Sequence, residues 1–218
     1  MSDETILDGP GASTRRAADS PKSLRTRRRI LKAAERLFVE VGYHEATNAR
    51  IAEAAQLTRG AMLYHFPTRE SLVEAAVDYI QSERARLFEQ AAAEAPHGAD
   101  RTDHAIESYW RLLSSASFVA FAELESAARV DPLLRERLRP AQEAFDRAQV
   151  GDHLFDLVQA GEGPRFQASR DFARFLLEGL ARAHLAYDAD ARTERMLSVA
   201  KRVARNLNRK GMRDLWED

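Results

Sequence analysis

The chain has 218 residues, 44% hydrophobic and 31% charged, with a formal net charge of −1 and no cysteine. That is enough apolar material for one large or two small packed domains, and it excludes disulfides, thiolate metal sites and cysteine nucleophiles. No apolar run approaches a membrane span, and the N-terminal residues lack the basic-then-apolar order of a signal peptide, so a cytoplasmic protein is expected.

Few Gly and Pro, abundant Ala, Leu, Arg and Glu, and no alternating β-branched runs predict an all-α fold of about nine helices. The charge is uneven. Residues 15–70 hold 12 Lys/Arg against 6 Asp/Glu, whereas residues 71–218 hold 21 against 25. A basic segment joined to a mildly acidic remainder suggests that one part meets a polyanion; chance clustering of solvated charges is the plainer alternative.

Residues 1–22 are polar, with Gly9-Pro10-Gly11 and Ser20-Pro21, and read as a disordered arm made basic by Arg15, Arg16 and Lys22. Ser23 is expected to cap a first helix whose buried stripe is Ile30, Leu31, Ala34, Leu37, Phe38 and Val41. Its opposite face carries Arg25, Arg28, Arg29, Lys32 and Arg36, and Gly42 ends it as a left-handed cap.

Residues 47–69 predict two short helices joined by a tight turn. Thr47 caps the first, with Ile51, Ala52 and Ala55 on one face; Gln56-Leu57 makes the turn. Thr58 caps the second, with Ala61, Met62 and Phe66 toward the interior, and Pro67 stops it because proline lacks an N–H and disfavours helix just before it. This is helix–turn–helix spacing, in which the second helix can enter a DNA major groove; an ordinary packed helix pair has the same spacing.

Thr68 opens a fourth helix running to about residue 93, with Glu70 in its first turn and Leu72, Val73, Ala76, Tyr79, Ile80 and Leu87 on its apolar side. After Pro96-His97-Gly98, a fifth helix is expected over about 102–115 and a sixth, apolar nearly all round, over about 117–130. Asp131-Pro132 opens a seventh, which Pro140 should kink or restart. Gly161-Glu162-Gly163-Pro164 is a strong breaker. Ser169 then caps an eighth helix, and a ninth spans about 190–209 before Gly211.

Residues Arg29 to Phe38, Gly42-Tyr43, Thr47 to Phe66 and Arg69-Glu70-Ser71-Leu72 resemble the TetR family of one-component transcriptional repressors, over about residues 25–75. The resemblance implies a basic arm at 1–22, a helix–turn–helix DNA-binding domain at 23–67 and a ligand-binding and dimerisation domain at 68–218. It implies that double-stranded operator DNA is a partner, met by Arg28, Thr47, Asn48 and a second helix starting at Thr58. Arg59 is the candidate for a bidentate guanine contact, because its fork matches O6 and N7. Gly60 and Ala61 let the backbone approach closely, and Tyr64, His65 and Arg69 are expected on phosphates. Tyr64 packing on the first helix, and His65 bonded to a backbone carbonyl, are the structural alternatives.

This copy departs from the family pattern. Gln56 stands where glycine is usual, so a strained turn is expected. Leu63 stands in the DNA-facing set where an aromatic is usual, and Ala49 lacks a polar side chain.

The resemblance also implies a homodimer built on the last two helices. The candidate interface is Phe172, Phe175, Leu176, Gly179, Leu180 and Ala183 on the eighth, with Met196, Ala200, Val203 and Leu207 on the ninth; an intrachain core is the other reading of the same stripe. A small-molecule effector is expected among Tyr109, Trp110, Phe118, Phe121, Phe145 and Phe155. Glu125 shares a helical face with Phe118 and Phe121 and needs a partner: Arg129 one turn on, or a cationic or hydroxylated ligand. His104, Glu107, His153 and His184 are weaker candidates.

No catalytic residue, cofactor or metal is expected. A carboxylate-bridged di-metal bundle needs Glu-x-x-His on two helices; the chain offers Glu94 to His97 once, broken by Pro96. No Gly-rich phosphate loop, zinc motif or nucleophile elbow occurs. A helical module that binds only protein is the remaining rival.

Overall fold

The computed structural model describes residues 20–95, 101–150, 164–184 and 191–208. The described residues form nine helices and no strand: α1 Pro21–Glu45, α2 Asn48–Ala54, α3 Arg59–His65, α4 Arg69–Ala93, α5 Arg101–Leu113, α6 Ala116–Ala128, α7 Pro132–Val150, α8 Pro164–Ala183 and α9 Ala191–Asn208. None is long and apolar enough to cross a membrane. The chain divides into two compact units, Met1–Ala76 and Val77–Asp218, with the division inside α4.

In the first unit the helix starts follow local chemistry. Ser20, not Ser23, caps α1: its hydroxyl accepts from the Ser23 amide at 3.2 Å, and Pro21 fills the first helical position, where no amide hydrogen is needed. Ser23 lies buried inside the helix instead. Gly42 takes φ 77°, ψ 168°, which breaks regular helical geometry near the end of α1. Thr47 and Thr58 cap α2 and α3, accepting from the amides of Arg50 at 3.4 Å and Ala61 at 3.2 Å. Thr68 and Ser71 bond reciprocally at the start of α4, the serine standing where a capping box usually has Glu or Gln.

Ile30, Ala34 and Phe38 of α1, Ile51 of α2 and Met62 of α3 are completely buried, and Phe66 after α3 nearly so. Ala61, expected inside, is only half-buried. The α2–α3 turn holds Gln56 at φ 54°, the left-handed region that costs a side-chain-bearing residue about 1–2 kcal/mol. Gln56→Gly should therefore raise the thermal stability of this unit by about 1 kcal/mol, after glycine's larger unfolded-state entropy is subtracted. A lower melting temperature would mean that the Gln56 side chain offsets its own strain.

In the second unit α5 packs on α8 and α9, α6 on α7, and α8 on α9. Ile106, Tyr109, Phe118, Phe145, Leu177, Ala200 and Ala204 make one buried cluster, edged by half-buried Phe88, Trp110 and Leu176 among others. The Asp131 carboxylate caps α7 through the Leu134 amide at 3.0 Å. α7 runs through Pro140 as a single helix. α8 begins at Pro164, five residues before the expected Ser169 cap, because proline is tolerated in the first turn of a helix.

Candidate functional site

The first unit presents the α2–turn–α3 segment with its inner face anchored and its outer face open. Met62 and Phe66 fix α3 from within. That leaves Thr58, Arg59 and Gly60 exposed on its first turn and Tyr64, 62% exposed, one turn on. A Cβ built at Gly60 meets nothing within 4 Å among the described residues, so their packing does not demand glycine there. Thr47 and Arg28 are exposed too, while Asn48, Ala61, Leu63 and His65 are half-buried. Tyr64 turns outward, edge-on to His65 at 5.2 Å.

Two arginines hold this hairpin from behind. Arg69, expected on a phosphate, turns its fork onto its own backbone. Its Nη1 donates to the Ala46 carbonyl at 2.5 Å and its Nη2 to the Tyr43 carbonyl at 3.0 Å, with the guanidinium 5.0 Å from the Tyr43 ring centre. The same Nη1 lies 3.5 Å from Asn48 Oδ1, so one residue ties the start of α4 to the end of α1 and the start of α2. Arg27 does the equivalent for α3. Its Nη1 donates to the His65 carbonyl at 2.9 Å, satisfying a C-terminal carbonyl, and it stacks 4.2 Å over Phe66. Burial, then the nearby Arg27 charge, lowers the pKa of His65 and favours its neutral form. Arg27 was not singled out from sequence: it sits in a run of five basic residues over 22–29, and only the fold selects it.

The second unit holds an inner aromatic cluster that gathers several of the expected effector residues. Phe118, Phe121 and Phe145 are 5%, 1% and 1% exposed, and Tyr109 is 9% exposed. Tyr109 and Phe145 each meet Phe118 edge-on, at 6.0 and 5.8 Å. Trp110, half-buried at the edge of the same cluster, meets His184 edge-on at 5.2 Å. Phe155 and His153 lie outside the described residues, as do the 1–19 arm, His97 and Gly211.

At the centre of the cluster stands a residue that helical periodicity did not flag. Arg84 of α4 is 3% exposed, its guanidinium 3.8 Å from the Phe121 ring centre, 4.1 Å from Phe145 and 4.9 Å from Phe118. Burial lowers its pKa to about 10, against the pull of Tyr109 and Glu125, so it stays charged at neutral pH.

Glu125 is paired, but not with Arg129. Its Oε2 lies 3.7 Å from Arg182 Nη2 on α8, a partner far away in sequence. Burial shifts its carboxyl upward. Beside it, Tyr109 donates to Glu178 Oε1 at 2.8 Å, and Arg174 donates to Glu178 at 2.9 Å and to Asp146 at 2.5 Å. Burial and the Glu178 carboxylate hold the Tyr109 phenol protonated. Burial works against the Arg174 cation, and its bonds to Glu178 with the Asp146 charge more than offset this. The weaker candidates have structural partners: His104 contacts the Ala91 carbonyl and Ser108, Glu107 pairs with Lys201, and His184 meets Thr193.

The expected dimer residues separate into two groups. On α8, Phe172 and Phe175 are 41% and 65% exposed, Gly179 and Ala183 are exposed, and Leu176 and Leu180 are half-buried. On α9, Met196, Val203 and Leu207 are half-buried, but Ala200 is fully buried within its own unit and belongs to the core rather than to an open face. Val199, 37% exposed, was not anticipated.

Residues 30–76 match the family model described as bacterial regulatory proteins, tetR family. The regulator TtgR of Pseudomonas putida is 39% identical over 69 residues, 32% of this chain and 33% of that protein. The match thus spans about a third of the curated relative. Among solved structures, a TetR-family member from Streptomyces coelicolor is 24% identical with a TM-score of 0.58, covering 82% of this chain and 97% of that one. The multidrug binding protein EbrR, complexed with proflavin, is 24% identical with a TM-score of 0.53, over 82% and 99%. The relatives are regulators rather than enzymes. Residues 30–76 thus match the tetR family model, and the described helices share the fold of these solved structures.

Proposed function

We propose that the chain is a cytoplasmic, DNA-binding transcriptional repressor that acts as a homodimer and leaves a pseudo-palindromic operator when a hydrophobic small molecule occupies its second unit. The observation that carries the DNA-binding part is the open first turn of α3, Thr58 to Gly60, on a helix anchored by buried Met62 and Phe66 in the basic segment of the chain. Arg59 reads a guanine edge; Thr47, Asn48, Tyr64 and the helix starts position the backbone. Two copies related by a two-fold axis set two such helices about 34–36 Å apart, one turn of DNA.

The exposed Phe172–Phe175–Gly179–Ala183 row of α8 supports self-association. A Cβ at Gly179 meets nothing within 4 Å among the described residues, which give no reason for a mid-helix glycine that costs about 1 kcal/mol relative to alanine. Close approach of a second α8 does. The inner aromatic cluster supports an effector, and EbrR, of the same fold, takes proflavin. α4 carries residues of both units and is the covalent route from ligand to reading head. The ligand acts only through its different affinity for the operator-bound and released states.

Operator sequences selected from a random DNA pool provide the test. Arg59→Ala should weaken binding to the selected site by about 1–3 kcal/mol and relax preference at one base pair of each half-site. Tyr64→Ala should weaken it across all sequences. Binding should also fall steeply with salt. Unchanged affinity in both variants, or a flat salt dependence, would sink the DNA-binding assignment and favour a protein-only partner.

A further inference from the structure

Arg84 is held differently from the other cations near it. Arg174 sits directly on Asp146 and Glu178, and Arg182 lies 3.7 Å from Glu125. The acceptors of Arg84 are two uncharged amide oxygens: Gln81 Oε1 at 3.1 Å and Gln142 Oε1 at 3.5 Å, both met by Nη1. Its Nε is buried and has no hydrogen-bond partner among the described residues. A guanidinium offers two chemically distinct surfaces. Its faces stack on aromatic rings, and its in-plane N–H edge needs oxygen acceptors. Here Phe121, Phe145 and Phe118 supply rings, while the buried Nε end of the edge has no acceptor among the described residues. A buried donor with no acceptor is costly, more so in a charged group, and a buried arginine is usually matched by a carboxylate in direct contact.

We propose that Arg84 anchors a carboxylate-bearing ligand, whose oxygens accept from the guanidinium edge and whose apolar body lies among Phe88, Tyr109, Phe118 and Phe145. The proposal rests on the effector reading above and names the ligand class. Three features favour an anion over a cation. The ring faces that would attract a cation already hold one. Glu178 is engaged by Tyr109 and Arg174, so its charge is compensated on the spot. Glu125 lies 3.7 Å from Arg182, whose charge offsets part of its opposition to an incoming anion. Half-buried Phe88 and Trp110 at the edge of the cluster give the apolar body a partly exposed margin to enter by.

Matched probes that differ only in head charge test this on the full-length protein. Titration calorimetry with 4-phenylbutyrate and decanoate, against 4-phenylbutylamine and decylamine, should give binding by at least one acid and at least tenfold weaker binding by its matched amine. Arg84→Gln should weaken the acid at least tenfold. Arg84→Lys, which keeps the charge but loses the planar edge, should give an intermediate loss. The acid–amine comparison on the unsubstituted protein needs no variant to fold. An amine that binds as well as its acid, the absence of binding by both acids, or undiminished acid binding in a folded Arg84→Gln protein overturns the proposal. Operator release is measured separately. An acid that binds through Arg84 yet leaves operator occupancy unchanged keeps the anchor and removes the effector reading; an amine that binds and releases operator does the reverse.

Discussion

Phe175→Glu is expected to convert the proposed homodimer to a monomer and to weaken operator binding about 10²- to 10⁴-fold. Phe175 is 65% exposed on α8, with Phe172 at 41% one turn earlier and exposed Gly179 one turn later. Burying a Phe side chain contributes about 1.5–3 kcal/mol, and a two-fold interface buries each residue twice. A glutamate at this position forfeits that contribution and places two carboxylates near the axis, where each must lose water without a partner. The loss at the operator follows from valency rather than from any change in the reading head. Joining two half-site contacts in one particle raises affinity by about 10²–10⁴, and a monomer lacks that gain. Sedimentation equilibrium should report the change of mass. Binding to an isolated half-site should be unaffected, because residue 175 lies in the second unit. A dimer that persists in the variant would assign the exposed α8 face to another partner.

Arg69→Ala is expected to destabilise the reading head by about 2–3 kcal/mol while leaving the salt dependence of DNA binding unchanged. Its two charge-assisted bonds, to the carbonyls of Ala46 and Tyr43, are of the class that contributes about 1.5–3 kcal/mol each, discounted here for partial exposure. Losing them leaves two carbonyls to find water and frees the α1–α2 junction from α4. Affinity then falls because fewer heads are correctly folded, and Arg69→Lys, with one compact donor in place of a fork, recovers only part of it. A phosphate contact predicts a different signature. Removing it lowers the slope of log K against log salt by about 0.9 in magnitude and leaves the melting temperature nearly alone. The two measurements together separate a structural clamp from a DNA contact. A reduced slope with unchanged stability would restore Arg69 to the phosphate-facing set.

These two residues mark where local and long-range information part. The helix-capping threonines, Thr47, Thr58 and Thr68, could be read directly, because a cap is a bond between residues three apart. The strain at Gln56 could be read from the family resemblance, which puts glycine at that position. The buried stripe of α1 and the ends of α2, α3 and α4 could be read directly as well. The start of α8 could not: Pro164 reads as a breaker and also serves as a first helical residue, and only the packing of α8 on α5 and α9 decides between them.

Sequence alone determined the all-α architecture and the two short capped helices of the first unit, because both rest on periodicity and caps within a few residues of chain, whereas the DNA-facing set came only from the family resemblance. Tertiary structure alone decided which polar side chains work inward. Arg69 and Arg28 look alike as basic residues near the hairpin, yet Arg69 closes on carbonyls 23 and 26 residues back. Glu125 found Arg182 rather than Arg129, and Ala200 went to the core. Arg84 shows the limit most clearly: a charged residue on a long helix reads as solvated, since burying a guanidinium is costly. Only when α6 and α7 bring Phe118, Phe121 and Phe145 around it, and Gln142 reaches it from 58 residues away, does that position become an interior cation whose Nε has no acceptor among the described residues.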